Sequence, residues 1–305
     1  MVTPVTVPAP LREATILREG ESGREWINAL PDQVDALIAR WDCVPTGEPV
    51  SGQVGIVVSA QSGRYGAVVL KVSFPHPANM AEPIALGAWG GQGAVRLFEH
   101  DPTSVAMLLE RIETRSLEDV ADIDEAVAVA GDLARRFAVP APPGIPRVTD
   151  IMADWQDVLW RALNRKQNQP PRRVTQMARA TFDELWALQP ETVIHGDLHY
   201  GNVLRGRRER WQAIDPKGLV GDRAFDIHHL LINRAIPLLG TAEFVAAMHR
   251  RVAVFAEAAG LDREHVRRWA QMRAVISAQY SWERQEPKWI SEAKDVLADL
   301  LTEAG

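Results

Sequence analysis

Cysteine is almost absent from this chain: Cys43 is the only one in 305 residues. That excludes an internal disulfide framework and any zinc site built on several thiolates, and it fits a reducing compartment. An excess of positive charge is missing too. Lys and Arg number 34 against 40 Asp and Glu, a formal charge of −6, whereas a nucleic-acid binder would carry a basic surface. Apolar runs such as 238–259 are broken by Glu243, His249, Arg250 and Arg251, which leaves no candidate membrane-spanning segment. The N-terminus MVTPVTVPAPLREATILREG has neither the basic start nor the apolar stretch of a secretory signal. These absences predict a soluble, cytoplasmic protein with no nucleic-acid and no membrane partner. Internal repeats are absent, as are the phosphate-binding patterns GxxxxGKS/T and GxGxxG.

What is present is an ordinary globular composition, 46% hydrophobic, enough for one large or two intimately joined domains. Residues 1–21 are Pro-rich and then polar, and read as a poorly anchored arm. Trp26, Leu30, Val34, Leu37, Ile38 and Trp41 recur at helical spacing, with a break expected near Pro31. Two β-rich runs, 54–60 and 67–73, flank a hairpin loop at 61–66 that contains Gly63 and Gly66. A helix is expected over 82–89, followed by strands over 94–98 and 104–110. From about residue 113 the pattern turns helical, with segments near 122–139, 149–168, 173–188, 224–234, 241–259, 262–283 and 288–303. Pro140 to Pro146 reads as a stiff linker between two of them. The expected organisation is a β-rich lobe over 1–112 and a helical lobe over 113–305, with the cleft between them as the default ligand site.

The one strand-like island in the helical half, 192–215, carries the chemistry. It reads His195-Gly-Asp197-Leu-His199-Tyr-Gly-Asn202-Val-Leu204 and, a few residues on, Ala213-Ile-Asp215. Transfer of a phosphoryl group from a Mg-nucleotide to an alcohol needs a carboxylate to engage the hydroxyl and a few hard oxygen donors to hold the metal. Asp197 is the candidate base; Asn202 and Asp215 are the candidate Mg2+ ligands. His195 is expected to brace the turn by hydrogen bonding. The spacing His195-x-Asp197-x-His199 also permits a metal-dependent hydrolase, but a two-metal site needs more ligands, and no second His-rich cluster occurs upstream. His228 and His229 lie in an apolar helical run and read as packing and solvent-facing residues. Asp222 is expected to cap a helix and, with Asp226, to support the catalytic turn.

In the other half, Lys71 lies in Val68-Val-Leu-Lys-Val72, where alternation turns it away from Leu70 and Val72. It reads as a phosphate-binding lysine paired with Glu82, or else as a lysine snorkelling from a sheet edge. Asn79-Met-Ala-Glu82 also resembles a capping box, and Pro83 puts Glu82 at a helix boundary. Ser51 and Gly52, in Ser51-Gly-Gln-Val-Gly55, are candidates to offer backbone amides to phosphates.

These residues resemble those of the aminoglycoside phosphotransferase family, kinases that share the protein-kinase fold. Within it the chain is most similar to the streptomycin 6-phosphotransferase and hydroxyurea phosphotransferase branch. The resemblance rests on VVLKVSFPHP at 68–77, AWGGQGAVRLFEHD at 88–101, LLERI at 108–112, VIHGDLHYGNVL at 193–204 and AIDPKGLVGDRAFDI at 213–227. It implies an α+β class and a bilobal protein-kinase-like fold, with a small antiparallel β N-lobe carrying one helix and a larger, mostly helical C-lobe. It also implies that Asp197 is the base, that Asn202 and Asp215 bind Mg2+, and that Lys71, anchored by Glu82, contacts the nucleotide phosphates. The stretch 109–112 would be a hinge whose main chain, at Glu110 and Ile112, reads the adenine. Asp215 is followed by Pro216-Lys217 in place of Phe-Gly, as that branch expects.

The function expected is an ATP- and Mg2+-dependent O-phosphotransferase, with GTP as an alternative donor, acting on a small cationic antibiotic of the streptomycin type. Trp282, Glu283 and Glu286 are candidates to hold a guanidinium or ammonium group. Alternatives are another acceptor, such as hydroxyurea, a tuberactinomycin peptide or an amino alcohol, and a nucleotide-binding protein without turnover. The intact set of Lys71, Asp197, Asn202 and Asp215 argues against the last.

Overall fold

The computed structural model describes residues 5–52 and 54–303. It divides into two compact units, Met1–Glu113 and Thr114–Gly305.

The first unit is a sheet with a long helix packed on one face. Helix α1 (Ala9–Arg40) precedes strands β1 (Cys43–Pro45), β2 (Val50–Ser51), β3 (Gly55–Ser62) and β4 (Gly66–Ser73); helix α2 (Glu82–Trp89) and strands β5 (Leu97–Asp101) and β6 (Ala106–Glu110) follow. The strands form one antiparallel sheet in the order β1-β3-β4-β6-β5, with β2 also paired to β3. Alternation along β4 puts Val68, Leu70 and Val72 into a core with Ile27, Leu30, Val34 and Leu37 of α1. Lys71 therefore points from the opposite face. Gly55 is required at the β3–β4 pairing, because a Cβ there would lie 2.3 Å from Val72 O.

The N-terminal region departs from the expected arm. Residues 9–21 are helical, and Leu11 and Thr15 are buried. The interruption falls at Gly20 (φ 63°), where a residue without Cβ accepts the left-handed backbone. Pro31, expected to break the helix, lies inside it. The next strand begins at Leu97 rather than Ala94.

The second unit contains α3 (Ile123–Phe137), α4 (Val148–Ile151), α5 (Trp155–Leu163) and α6 (Arg172–Leu185), then short strands β7 (Val193–Ile194), β8 (Val203–Arg205), β9 (Trp211–Ala213) and β10 (Leu219–Val220). Helices α7 (Ile227–Ile232), α8 (Glu243–Ala259), α9 (Arg263–Glu283) and α10 (Lys288–Leu300) complete it. Helix α9 carries buried residues on several faces, among them Trp269, Met272, Val275 and Ile276, because α5, α6, α7, α8 and α10 all pack on it. The Pro-rich connection is anchored at both ends by β-bridges, Pro140 to Thr192 and Arg147 to Val220. Among the described residues no helix is long and apolar enough to cross a membrane.

Helices α3 and α8 approach at Gly131, where a Cβ would meet Ala258 Cβ at 2.8 Å and Phe255 O at 2.9 Å. Gly131→Val should therefore lower unfolding stability by about 1–3 kcal/mol, measured by urea denaturation. A midpoint equal to that of the wild type would contradict this packing.

Candidate active site

The segment from His195 to Asn202 joins β7 to β8, and its backbone is held from several directions. β7 pairs with β10 (Ile194 with Leu219) and β8 with β9 (Val203 with Ala213), so the turn and residues 214–218 are fixed side by side. Gly196 adopts φ 82°, and a Cβ there would meet Leu219 Cδ1 at 3.0 Å and Lys217 Cβ at 3.1 Å; only glycine fits both the conformation and the space. The buried Asp226 carboxylate accepts from Gly196 N at 2.9 Å and His195 N at 3.2 Å. His195 O in turn accepts from Lys217 N at 2.9 Å. Tyr200, fully buried, donates its hydroxyl to Leu230 O on α7 at 2.9 Å.

His195 braces the turn through its ring. Nε2 lies 3.0 Å from Ile214 O, and Nδ1 accepts from Asp197 N at 3.3 Å. That pattern requires the neutral Nε2–H tautomer. Burial supplies the reason the ring stays neutral, lowering its pKa to about 3.

Asp197, Asn202 and Asp215 are thereby brought together. Asn202 is buried, and its Nδ2 donates to Asp197 O at 3.0 Å, which commits the amide nitrogen and leaves the amide oxygen to act as a ligand. Ile214 N donates to Asn202 O at 2.9 Å, placing Asp215 one residue from that contact. Asp215 is half-buried at φ 61°, a left-handed position that Asp tolerates. An amide oxygen and a carboxylate are hard-oxygen donors of the kind Mg2+ takes, with phosphate and water in its remaining positions. Among the described residues no three His, Cys, Asp or Glu side chains converge on a metal position. The hydrolase reading of His195, Asp197 and His199 loses its basis there, since His195 turns both nitrogens inward and His199 Nδ1 accepts from Gly201 N.

In the first unit, Lys71 Nζ lies 2.7 Å from both carboxylate oxygens of Glu82, and both side chains are largely buried. Pro83 does not prevent the pair. The expected capping box is not formed: Ala81 is the N-cap of α2, and Asn79 donates its side-chain amide to Phe74 O. Glu82, at the first position of the helix, pairs with Lys71.

Of the Ser51–Gly52 candidate, the Gly52 half is corrected: Gly52 N closes a turn onto Gly55 O at 2.8 Å, so that amide is not presented to a phosphate, while Ser51 stands opposite Ile56 on the edge strand β2; Gln53 lies outside the described residues. At the expected hinge, Glu110 N donates to Arg96 O, while the Ile112 amide finds no acceptor among the described residues.

The late-helix candidates are already engaged. Glu283 pairs with Arg161 of α5 at 2.6 Å and accepts from Gln279. Glu286 pairs with Lys294 of α10 at 3.1 Å and accepts from Ser281. Trp282 Nε1 donates to Asp295 at 2.8 Å. These contacts tie α9 to α5 and α10, so the three residues do not form an open cation site.

Asp222 caps the turn Arg223–Asp226 by accepting from Ala224 N at 2.9 Å. Its other oxygen lies 2.6 Å from His265 Nε2, a hydrogen bond that raises the His265 pKa. Sequence reasoning missed two residues. Arg273 of α9 stacks over Phe225 at 3.8 Å and donates to Phe225 O. Its charge acts on Asp226 and Asp197, and burial lowers its own pKa to about 10. A lone cation inside Trp269-Ala-Gln-Met-Arg-Ala-Val-Ile276 was the available signal. The second is His229. His228 is buried as packing, but His229, the other of the pair read as packing and solvent-facing, is half-buried with Nε2 3.7 Å from Asp197 Oδ1.

A sequence profile described as "Aminoglycoside/hydroxyurea antibiotic resistance kinase" matches residues 40–285. Streptomycin 6-kinase of Streptomyces glaucescens is 36% identical, covering 98% of this chain and 97% of the relative. Hydroxyurea phosphotransferase of Kitasatospora aureofaciens is 32% identical over 99% of this chain and 87% of its own length. Among solved structures, amicoumacin kinase hAmiN in complex with AMP-PNP, Ca2+ and Ami superposes with a TM-score of 0.59 over 91% of this chain and 95% of that one. At 14% identity that likeness shows a shared fold.

Asp226→Ala would leave the His195 and Gly196 amides without their acceptor, and stability should fall by about 1–3 kcal/mol in urea denaturation. Acid should act on the histidines. An unfolded histidine takes up a proton near 6.5, whereas burial keeps His195 and His229 neutral down to about 3 and His228 well below its usual range. In that window the unfolded chain binds more protons, so their contribution is complete above about pH 6.5 and lost as pH falls. Asp226, pushed up by burial to about 7, gives the opposite slope, and the three histidines outweigh it. The melting temperature should therefore drop between pH 6.5 and 4; a flat profile would contradict the buried neutral rings.

Proposed function

Because the chain belongs to the aminoglycoside/hydroxyurea antibiotic resistance kinase family, we propose that it inactivates an antibiotic by transferring the γ-phosphoryl group of ATP to one of its hydroxyls. The observation that supports this reading is the braced turn that carries Asp197 and Asn202, with Asp215 one residue beyond the bond from Ile214 N to Asn202 O. Asp197 receives the acceptor hydroxyl and takes its proton as the oxygen attacks phosphorus. Asn202 and Asp215 hold Mg2+, which when bound draws charge away from the phosphate oxygens. Lys71, oriented by Glu82, contacts the nucleotide phosphates, and the main chain at Glu110 and Ile112 reads the base. The transition state is loose and highly charged, so positioning and charge compensation account for most of the rate.

Streptomycin is the acceptor favoured by the 36% identity to a streptomycin 6-kinase along nearly the whole chain. A phosphate on that hydroxyl adds bulk and negative charge to a cationic drug. Hydroxyurea is the second reading, supported by the relative that is 32% identical. Such an enzyme would work in the cytoplasm, where ATP is supplied.

ATP consumption and product mass measured with streptomycin, other aminoglycosides, tuberactinomycins and hydroxyurea should show turnover with streptomycin; turnover with hydroxyurea alone would move the assignment to the second reading. Asp197→Ala should lower turnover by about 10²-fold or more with nucleotide affinity nearly intact. Asp215→Ala should instead abolish the Mg2+-dependent part of nucleotide binding, read by calorimetry with and without the metal.

A further inference from the structure

His229 has no role in the reading above, yet it is the titratable side chain whose ring nitrogen faces the candidate base. Its Nε2 lies 3.7 Å from Asp197 Oδ1, and both side chains keep similar exposure, 28% and 29%. That separation is too long for a hydrogen bond and too short for a chain of two waters. One oxygen atom fits: a hydroxyl about 2.8 Å from each would accept from the ring and donate to the carboxylate.

The ring is not a mobile surface group. It is carried on α7, whose backbone is fixed by Tyr200 Oη on Leu230 O and by the buried Arg251, which donates to Leu230 O, Leu231 O and Asn233 O. The rings of His228 and His199 stand edge-on to it at 5.5 and 6.5 Å. Burial, reinforced by the positive charge of Arg273, lowers the His229 pKa to about 3. At neutral pH the contact with Asp197 is thus not an ion pair. A neutral imidazole offers one N–H, and the facing carboxylate favours placing it on Nε2.

We propose that His229 is a second acceptor-binding residue, donating its Nε2–H to the oxygen of the hydroxyl whose proton Asp197 Oδ1 accepts. The inference rests on the reading of Asp197 as the base. During transfer the hydroxyl oxygen forms its bond to the γ-phosphorus, the bond from phosphorus to the bridging oxygen of ADP breaks, and the proton passes to Asp197. His229 remains neutral throughout and changes no bond. Its contribution is orientation: with two fixed partners, the remaining lone pair of the hydroxyl has one direction left, toward phosphorus.

The test separates ring shape from the N–H. Steady-state kinetics would be measured with ATP and streptomycin, or with whichever panel compound the wild type phosphorylates. His229→Phe keeps the ring and removes the donor; it should lower kcat/KM for the acceptor about tenfold or more, while KM for ATP stays within about twofold. His229→Gln supplies a side-chain N–H and should recover most of that loss. A Phe variant as active as the wild type would overturn the proposal, as would a Gln variant damaged equally. In wild-type protein labelled with 15N-histidine, the Nε2 resonance of His229 should shift when acceptor is added to the AMP-PNP complex; no shift overturns the proposal without reliance on any variant. Asp197→Asn distinguishes the two levels. If it stays active, or if the wild type phosphorylates nothing in the panel, the parent reading falls and this one with it; if it is inactive while His229→Phe is not, only the role of His229 is lost.

Discussion

The pair of hydrogen bonds from His195 N and Gly196 N to the buried carboxylate of Asp226 is the constraint on which the rest of the site depends. It spans thirty-one residues in sequence and ties the turn to the segment leading into α7. Once those two amides are fixed, the direction of Asp197 follows, since its own amide is held by His195 Nδ1 and its carbonyl by Asn202. Burying a carboxylate is unfavourable, and the cost is offset by the two amides and by the guanidinium of Arg273 acting through space. A charge from the core helix α9 thus supports geometry at the surface of the same unit.

The two halves of the proposed chemistry use different devices. Lys71 and Glu82 are a direct ion pair, strong because both are largely removed from water. The turn around Asp197 relies on backbone groups, a neutral imidazole and a glycine that no other residue can replace. The neutral imidazole braces the turn without adding charge to it, and the negative charge of Asp226 is met by two amides and by Arg273.

Much of this was legible in the sequence because it is local. Alternation in Val68–Val72 placed Lys71 on the face away from the core, and the spacing from His195 to Asn202 set the order of the site. The hydrogen-bonding role expected of His195 is what its ring performs. What was not legible depended on distant partners. Glu283 looks like a free acid until α5 brings Arg161 to it from 122 positions away, and Glu286 until α10 brings Lys294. The N-terminal segment reads as polar because it presents only a narrow apolar stripe, yet Leu11 and Thr15 are buried. His229 was hidden for the same kind of reason: only the anchoring of α7 to Tyr200 and Arg251 turns its ring toward Asp197.

Asp215 stands at φ 61° directly before Pro216, and the next two amides, of Lys217 and Gly218, both donate to His195 O. A hinge that swings a metal-carrying aspartate out of place needs free torsions and unspent amides on its far side. Here the ring of Pro216 freezes one torsion and the His195 carbonyl consumes both amides. Such an architecture leaves Asp215 little room to swing, so the aspartate is held in one place by the same carbonyl that belongs to the catalytic turn.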